Sequence, residues 1–239
     1  MLPCPFLALG AEVKAARIIR AAEPFVLALV PALMLWSAWA GSAASGGLAL
    51  LAAIVAIVFV LSGIEAGKPA LRQMMPVACM AALAAAGRIL FAAVPDVKPV
   101  SAIAILAGAL LGPESGFAVG AFAALLSNFF FGQGAWTPLQ MYAWGLVGYL
   151  GGVLARHGLL KRRWQLAAAG VLSGLLYGAI LNGWYVLGYV RPIVPETVIA
   201  AFLAGFPLDL VHGLSTAGFL LLVWIPWGRS LRRALARYD

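Results

Sequence analysis

Residues 127–148, SNFFFGQGAWTPLQMYAWGLVG, set Asn128, Gln133 and Gln140 beside Trp136 and Trp144 in a chain otherwise poor in polar side chains. Amides supply neutral donors and acceptors, indoles supply flat contact area, and Gly132 and Gly134 permit a tight backbone beside a ligand. An aromatic belt at a membrane surface explains the tryptophans. It does not ask for three amides as well, and the combination suits a pocket that opens outward.

Asp209 and His212, in FPLDLVHGLSTAGF, are spaced i, i+3 and fall on one face of a helix. A carboxylate and an imidazole so placed could form a structural hydrogen-bonded pair, relay protons or orient a ligand. As metal ligands they are too few, since a zinc site takes three or four. Arg88 lies inside an apolar run, where an unpaired charge costs roughly 2.5–3.5 kcal/mol. It needs a partner such as Asp209 or an anionic or amide group of a ligand, a water-filled cavity, or room to snorkel outward. Ser173 and Ser215, taken with His212, lack a Gly-x-Ser-x-Gly elbow, and nothing in the sequence brings serine and histidine into reach. Paired-carboxylate, Walker A and dinucleotide motifs are missing too, so the chain is expected to be no enzyme, to hydrolyse no ATP itself and to need no cofactor or metal.

The elements that position these residues follow from composition. Of 239 residues, 64% are hydrophobic and 10% charged, with mean hydropathy +1.01, far from the roughly 25% charged of a soluble domain. Runs of about 17 to 25 apolar residues each suffice to cross a bilayer as a helix. The chain therefore reads as an all-α polytopic membrane protein whose partner is the lipid bilayer. Its net charge of +8 reflects basic clusters beside the apolar runs, which is topology rather than nucleic-acid binding. Cys4 and Cys79 fall in the leader and in a span and offer no disulfide framework or CxxC motif. Lys14, Arg17 and Arg20 follow the apolar leader instead of preceding it, which argues against a cleaved signal peptide.

Eight spans are expected, at about residues 24–41, 47–64, 75–94, 100–111, 115–131, 138–155, 165–190 and 208–227, with Pro113 breaking the fourth from the fifth. The first 23 residues read as a cytoplasmic leader, 24–66 as two N-terminal spans, 75–227 as a six-helix unit and 228–239 as a basic cytoplasmic tail. With the N-terminus inside, cytoplasmic segments collect Lys14, Arg17, Arg20, Lys68, Arg72, Arg156, Lys161, Arg162, Arg163, Arg229, Arg232, Arg233 and Arg237, leaving only Lys98 and Arg191 outside and Arg88 within a span. That separation is the positive-inside pattern, with both termini cytoplasmic. Arg88, Asn128, Gln140, Asn182, Asp209 and His212 all come after about residue 70, so function is expected there. No convincing repeat relates the two halves.

Small residues recur every four positions three times: Ala78, Ala82 and Ala86; Gly108, Gly112, Gly116 and Gly120; Gly148 and Gly152. Such stripes let helix backbones approach closely. Ordinary bundle packing explains each one singly, and the alanine stripe, three turns long, is the best candidate for an external docking face.

From about residue 75 the chain resembles the substrate-binding S component of energy-coupling factor (ECF) vitamin transporters. The likeness rests on ACMAALAAAGRILFAAVPDVKPVSAIAILAGALLGPESGFAVG, on SNFFFGQGAWTPLQMYAWGLVGYLGG, on FPLDLVHGLSTAGF and on the order of six spans. It implies a six-helix module in the prokaryotic inner membrane that holds a micronutrient near its outer face. A membrane scaffold subunit with two ATPases would then drive toppling and release. It also implies scaffold docking through Ala78, Ala82 and Ala86, and a ligand pocket among Arg88, Lys98, Asn128, Gln133, Trp136, Gln140, Trp144, Asn182, Tyr185, Asp209 and His212, closed by the GQGAW loop and the segment VRPIVPE. Within the family, GQGAWTPLQM looks most like the subgroup associated with cobalamin. The two N-terminal spans depart from the six-helix pattern. Rival classes are a stand-alone proton-coupled secondary transporter working through Asp209 and His212, an intramembrane enzyme and a structural scaffold.

Overall fold

The computed structural model describes residues 5–40 and 45–235. Cys4, Arg237 and the outermost residues of the leader and tail lie outside them, as do the side chains of Lys14 and Arg232. The described residues form eight α-helices: α1 (Pro5–Ala40), α2 (Ser45–Ala66), α3 (Leu71–Leu90), α4 (Val100–Leu111), α5 (Pro113–Phe131), α6 (Trp136–Arg156), α7 (Arg163–Tyr189) and α8 (Pro195–Leu235). Six of them are long and apolar enough to cross a membrane, and α4 is a shorter apolar helix. The protein is an all-α polytopic membrane bundle, six helices preceded by two more.

Punctuation in the sequence sets the boundaries. Gly112, at φ +105°, makes the one-residue break between α4 and α5, and Pro113 follows at the first helical position, where its missing N–H costs nothing. Gly132, at φ +96°, ends α5 before the GQGAW loop. At the start of α7 the Gln165 Oε1 accepts the backbone N–H groups of Lys161 and Arg162, at 3.0 and 2.8 Å.

Two boundaries differ from the sequence expectation. The leader is not separate from the first span, because α1 runs through it from Pro5. The last helix begins at Pro195 instead of 208, and Pro207 sits inside it. In VRPIVPE, then, Pro195 and Glu196 are the first turn of α8. Thr197 Oγ1 accepts the Val194 N–H there, at 3.3 Å. A proline in a membrane helix is tolerated where neighbouring groups satisfy the freed backbone.

The helices alternate direction, so the basic clusters meet at one end. Glu114, on the α4–α5 hairpin, lies 3.6 Å from Arg20 of α1 and 3.7 Å from Arg156 of α6. At the opposite end Ser45 Oγ donates to the Leu187 carbonyl, at 3.0 Å, and the α3–α4, α5–α6 and α7–α8 connections gather there. The closest helix pairs are α5 with α6, α7 with α8, α4 with α6, and α1 with α2. The first two helices are packed into the bundle: Leu27, Val30, Ala53, Ala56 and Val60 share one buried cluster with Phe117, Tyr142 and Ile180. Tyr142 Oη closes that seam by donating to the Leu27 carbonyl, at 2.6 Å.

Candidate functional site

Arg88, near the end of α3 away from the basic clusters, has its charge answered by neutral groups. Its Nη1 donates to Ser127 Oγ at 2.7 Å and to Asn128 Oδ1 at 2.6 Å, both on the last turns of α5. Asn128 is fully buried; its Nδ2 donates to Gln140 Oε1 at 2.8 Å and to Thr137 Oγ1 at 3.0 Å on the first turns of α6. Thr137 Oγ1 donates to Gln133 Oε1 at 2.9 Å, and Gln133 Nε2 reaches the Leu125 carbonyl at 3.0 Å. The amides of the opening motif thus belong to one chain of hydrogen bonds that starts at a guanidinium. Such a chain holds a half-buried cation through neutral hydrogen-bond partners.

Beside this chain stands a column of flat groups. The Arg88 guanidinium lies 4.6 Å from the centre of the Phe131 ring and 4.8 Å from that of Trp144, distances at which a cation is attracted to a ring face. Trp144 stacks on Tyr177 of α7 at 4.7 Å between ring centroids, and Tyr177 stacks on His212 of α8 at 5.0 Å. The interplanar angles are 24° and 12°. Five helices contribute one group each. Trp144 Nε1 is buried and has no hydrogen-bond partner among the described residues.

His212 Nε2 lies 2.8 Å from Ser101 Oγ, on the first turn of α4, and its Nδ1 lies 4.0 Å from Asp96 Oδ1 in the α3–α4 connection. The order serine, histidine, aspartate invites comparison with a hydrolase triad. A 4.0 Å separation is too long for a hydrogen bond, and Ser101 is fully buried, so the contacts orient the imidazole ring. Ser215 Oγ holds the same connection by donating to the Asp96 carbonyl at 3.3 Å. Burial pushes the Asp96 carboxyl up from its ordinary range, with Lys98 and Arg88 holding it down. Burial likewise lowers the Lys98 ammonium, against the pull of Asp96.

Of the residues expected in the site, Arg88, Asn128, Gln133, Gln140, Trp144 and His212 come together. Asp209 does not meet Arg88: it accepts a hydrogen bond from Asn182 Nδ2 at 2.9 Å. It is seated against Gly178, where any side chain would overlap it. Asp209 and His212 share a helix but have different partners, so the pair forms no direct relay. Lys98 caps α3, its Nζ donating to the Phe91 and Val94 carbonyls. Trp136 is 44% exposed and Tyr185 52% exposed, the latter stacked on Tyr189 away from the column. Sequence reasoning missed Ser101, Ser127, Thr137, Tyr177 and Asp96. Tyr177 carried a signal, a polar aromatic between Gly174 and Gly178 in an otherwise aliphatic run.

Five of the eight helices of this membrane bundle thus bring together a half-buried cation, an amide chain and a stack of rings. The model of the ECF-type riboflavin transporter S component family matches residues 68–225, which begin just before α3 and take in the site. The chain belongs to this family and is the substrate-binding subunit of an ECF transporter, a transport component rather than an enzyme. No curated protein and no solved structure matches it significantly.

Proposed function

We propose that the chain captures a flat-ring vitamin at the end of the bundle opposite the basic clusters and passes it to a membrane scaffold subunit driven by two ATPases. The observation that carries this reading is the column from Phe131 through Arg88, Trp144 and Tyr177 to His212. Flat groups in register accept a flat ring by stacking, and the Trp144 N–H and the flanking amides fix its edge. On this reading Asp209 with Asn182, the half-buried Lys98 and the exposed Trp136 and Tyr185 line the approach.

Riboflavin is the first ligand to try, because the matched family is named for it and its ring system is flat with polar edges. Cobalamin is the second, on the likeness of GQGAWTPLQM to the corrinoid subgroup. The positive-inside pattern puts both termini in the cytoplasm of a prokaryotic cell, and the site then opens outward. Ala78, Ala82 and Ala86 are all exposed on α3, which supports the alanine stripe as the scaffold-docking face.

Uptake by cells tests the energetics. Deleting the ATPase subunits abolishes uptake on this reading, while a protonophore leaves its initial rate unchanged. Uptake that survives the deletion and collapses with the protonophore contradicts it and favours a proton-coupled carrier.

A further inference from the structure

At the basic end, remote from the column, a cavity of about 390 Å³ separates the start of α7 from the end of α8. Its two walls run parallel in chemistry. On α7 the wall passes from Arg163 at the first residue to Leu166 one turn deeper; on α8 it passes from Arg229 inward to Ile225 and Leu221. Lys161, on the α6–α7 turn, completes a rim of three cations. None of the three pairs with a carboxylate among the described residues. A second cavity, of about 340 Å³, shares Lys161 and Trp224 with the first and is walled mainly by aliphatic side chains, among them Leu110 and Leu160.

Cation at the rim and hydrocarbon beneath, at the level where a helix leaves the membrane, is the inverse of a phospholipid with an anionic headgroup. Basic pockets between membrane helices bind such headgroups, and each Lys or Arg beside an anionic lipid surface contributes about 1 kcal/mol. The contrast with Glu114 sharpens the assignment. Where Arg20 and Arg156 line their own cavity, Glu114 already neutralises them in part, whereas the Lys161, Arg163 and Arg229 rim has no such counter-ion among the described residues. We infer that this cleft is a binding site for an anionic phospholipid, its phosphate on Lys161, Arg163 and Arg229 and an acyl chain along Leu166, Leu221 and Ile225.

The purified chain in detergent, without scaffold or vitamin, suffices for the test, so its outcome is independent of the transport reading. Native mass spectrometry with added phosphatidylglycerol should show one tightly held lipid, with phosphatidylcholine held more weakly. Lys161→Gln should weaken retention about fivefold and Lys161→Gln with Arg229→Gln about 25-fold, the factors that about 1 kcal/mol per cation gives. Arg156→Gln, which removes the same charge from the other cavity, should leave retention unchanged. Equal retention of the two lipids, or equal loss from Arg156→Gln, overturns the site. So does displacement of the lipid by inorganic phosphate alone, which would mark a simple anion site. Unchanged lipid retention in the double variant would also overturn it.

Discussion

Two sets of small residues with the same four-residue spacing have opposite fates in this bundle. Gly108, Gly116, Gly120, Gly148 and Gly152 are buried where α4, α5 and α6 cross, and a Cβ added at Gly108, Gly116, Gly120 or Gly148 would overlap backbone of a neighbouring helix. Ala78, Ala82 and Ala86 face outward, with exposed Met75 and Leu83 around them. The spacing is the same because the requirement is the same, a helix surface that lets another backbone come close. In the glycine set that other backbone is already in the chain. In the alanine set, on the proposal made above, it would belong to the scaffold subunit.

Filling both surfaces with bulk should separate the two sets most sharply. Gly148→Leu drives a side chain into the Gly116 backbone and should cost about 4 kcal/mol or more, the range of severe core overpacking; fluorescence-detected size-exclusion chromatography should show loss of folded protein. Normal folding of that variant would mean the glycine contacts are slack. Ala82→Leu adds similar bulk to an open face. It should leave Tm and ligand binding unchanged and abolish co-purification with the scaffold. If the scaffold still co-purifies, the alanine stripe is mere lipid-facing surface.

Smaller effects separate the site from its surroundings. Arg88→Gln removes a charged donor from Ser127 and Asn128, and ligand affinity should fall about 10- to 100-fold, as the loss of a charge-assisted hydrogen bond implies. Gln140→Ala breaks a neutral link and should cost about fivefold, and Trp136→Ala, at an exposed position, about threefold; titration calorimetry on each variant checks the order. Least of all, Gly218→Ala, where an added Cβ meets nothing within 4 Å, should shift stability by no more than about 0.5 kcal/mol. It is the control that shows glycine itself is not the requirement.

The sequence made the eight helices legible because each is an apolar run set off by charge, glycine or proline, six of them long and apolar enough to cross a membrane and α4 shorter. The early start of α8 was hidden because Pro195 and Pro207 interrupt the apolar run before residue 208, and only packing against α7 reveals a continuous helix. Arg88, Asn128, Gln140 and His212 stood out as polar groups in hydrocarbon. Their partners did not. Ser101 and Ser127 are ordinary small residues in a membrane helix until the fold brings an imidazole or a guanidinium to them, and Tyr177 joins the column only because α6, α7 and α8 converge. Arg88 itself could not be paired in advance, since a carboxylate in α8 is the more obvious partner than an amide in α5.

The central claim is recognition of a flat-ring vitamin by this chain alone. The most direct measurement is calorimetric titration of the purified protein with riboflavin and, separately, with cobalamin, repeated on Arg88→Gln. Saturable binding of one vitamin at one site per chain, weakened by the substitution, is the expected result. Folded protein that binds neither vitamin, or binds one with an affinity indifferent to Arg88, would contradict it.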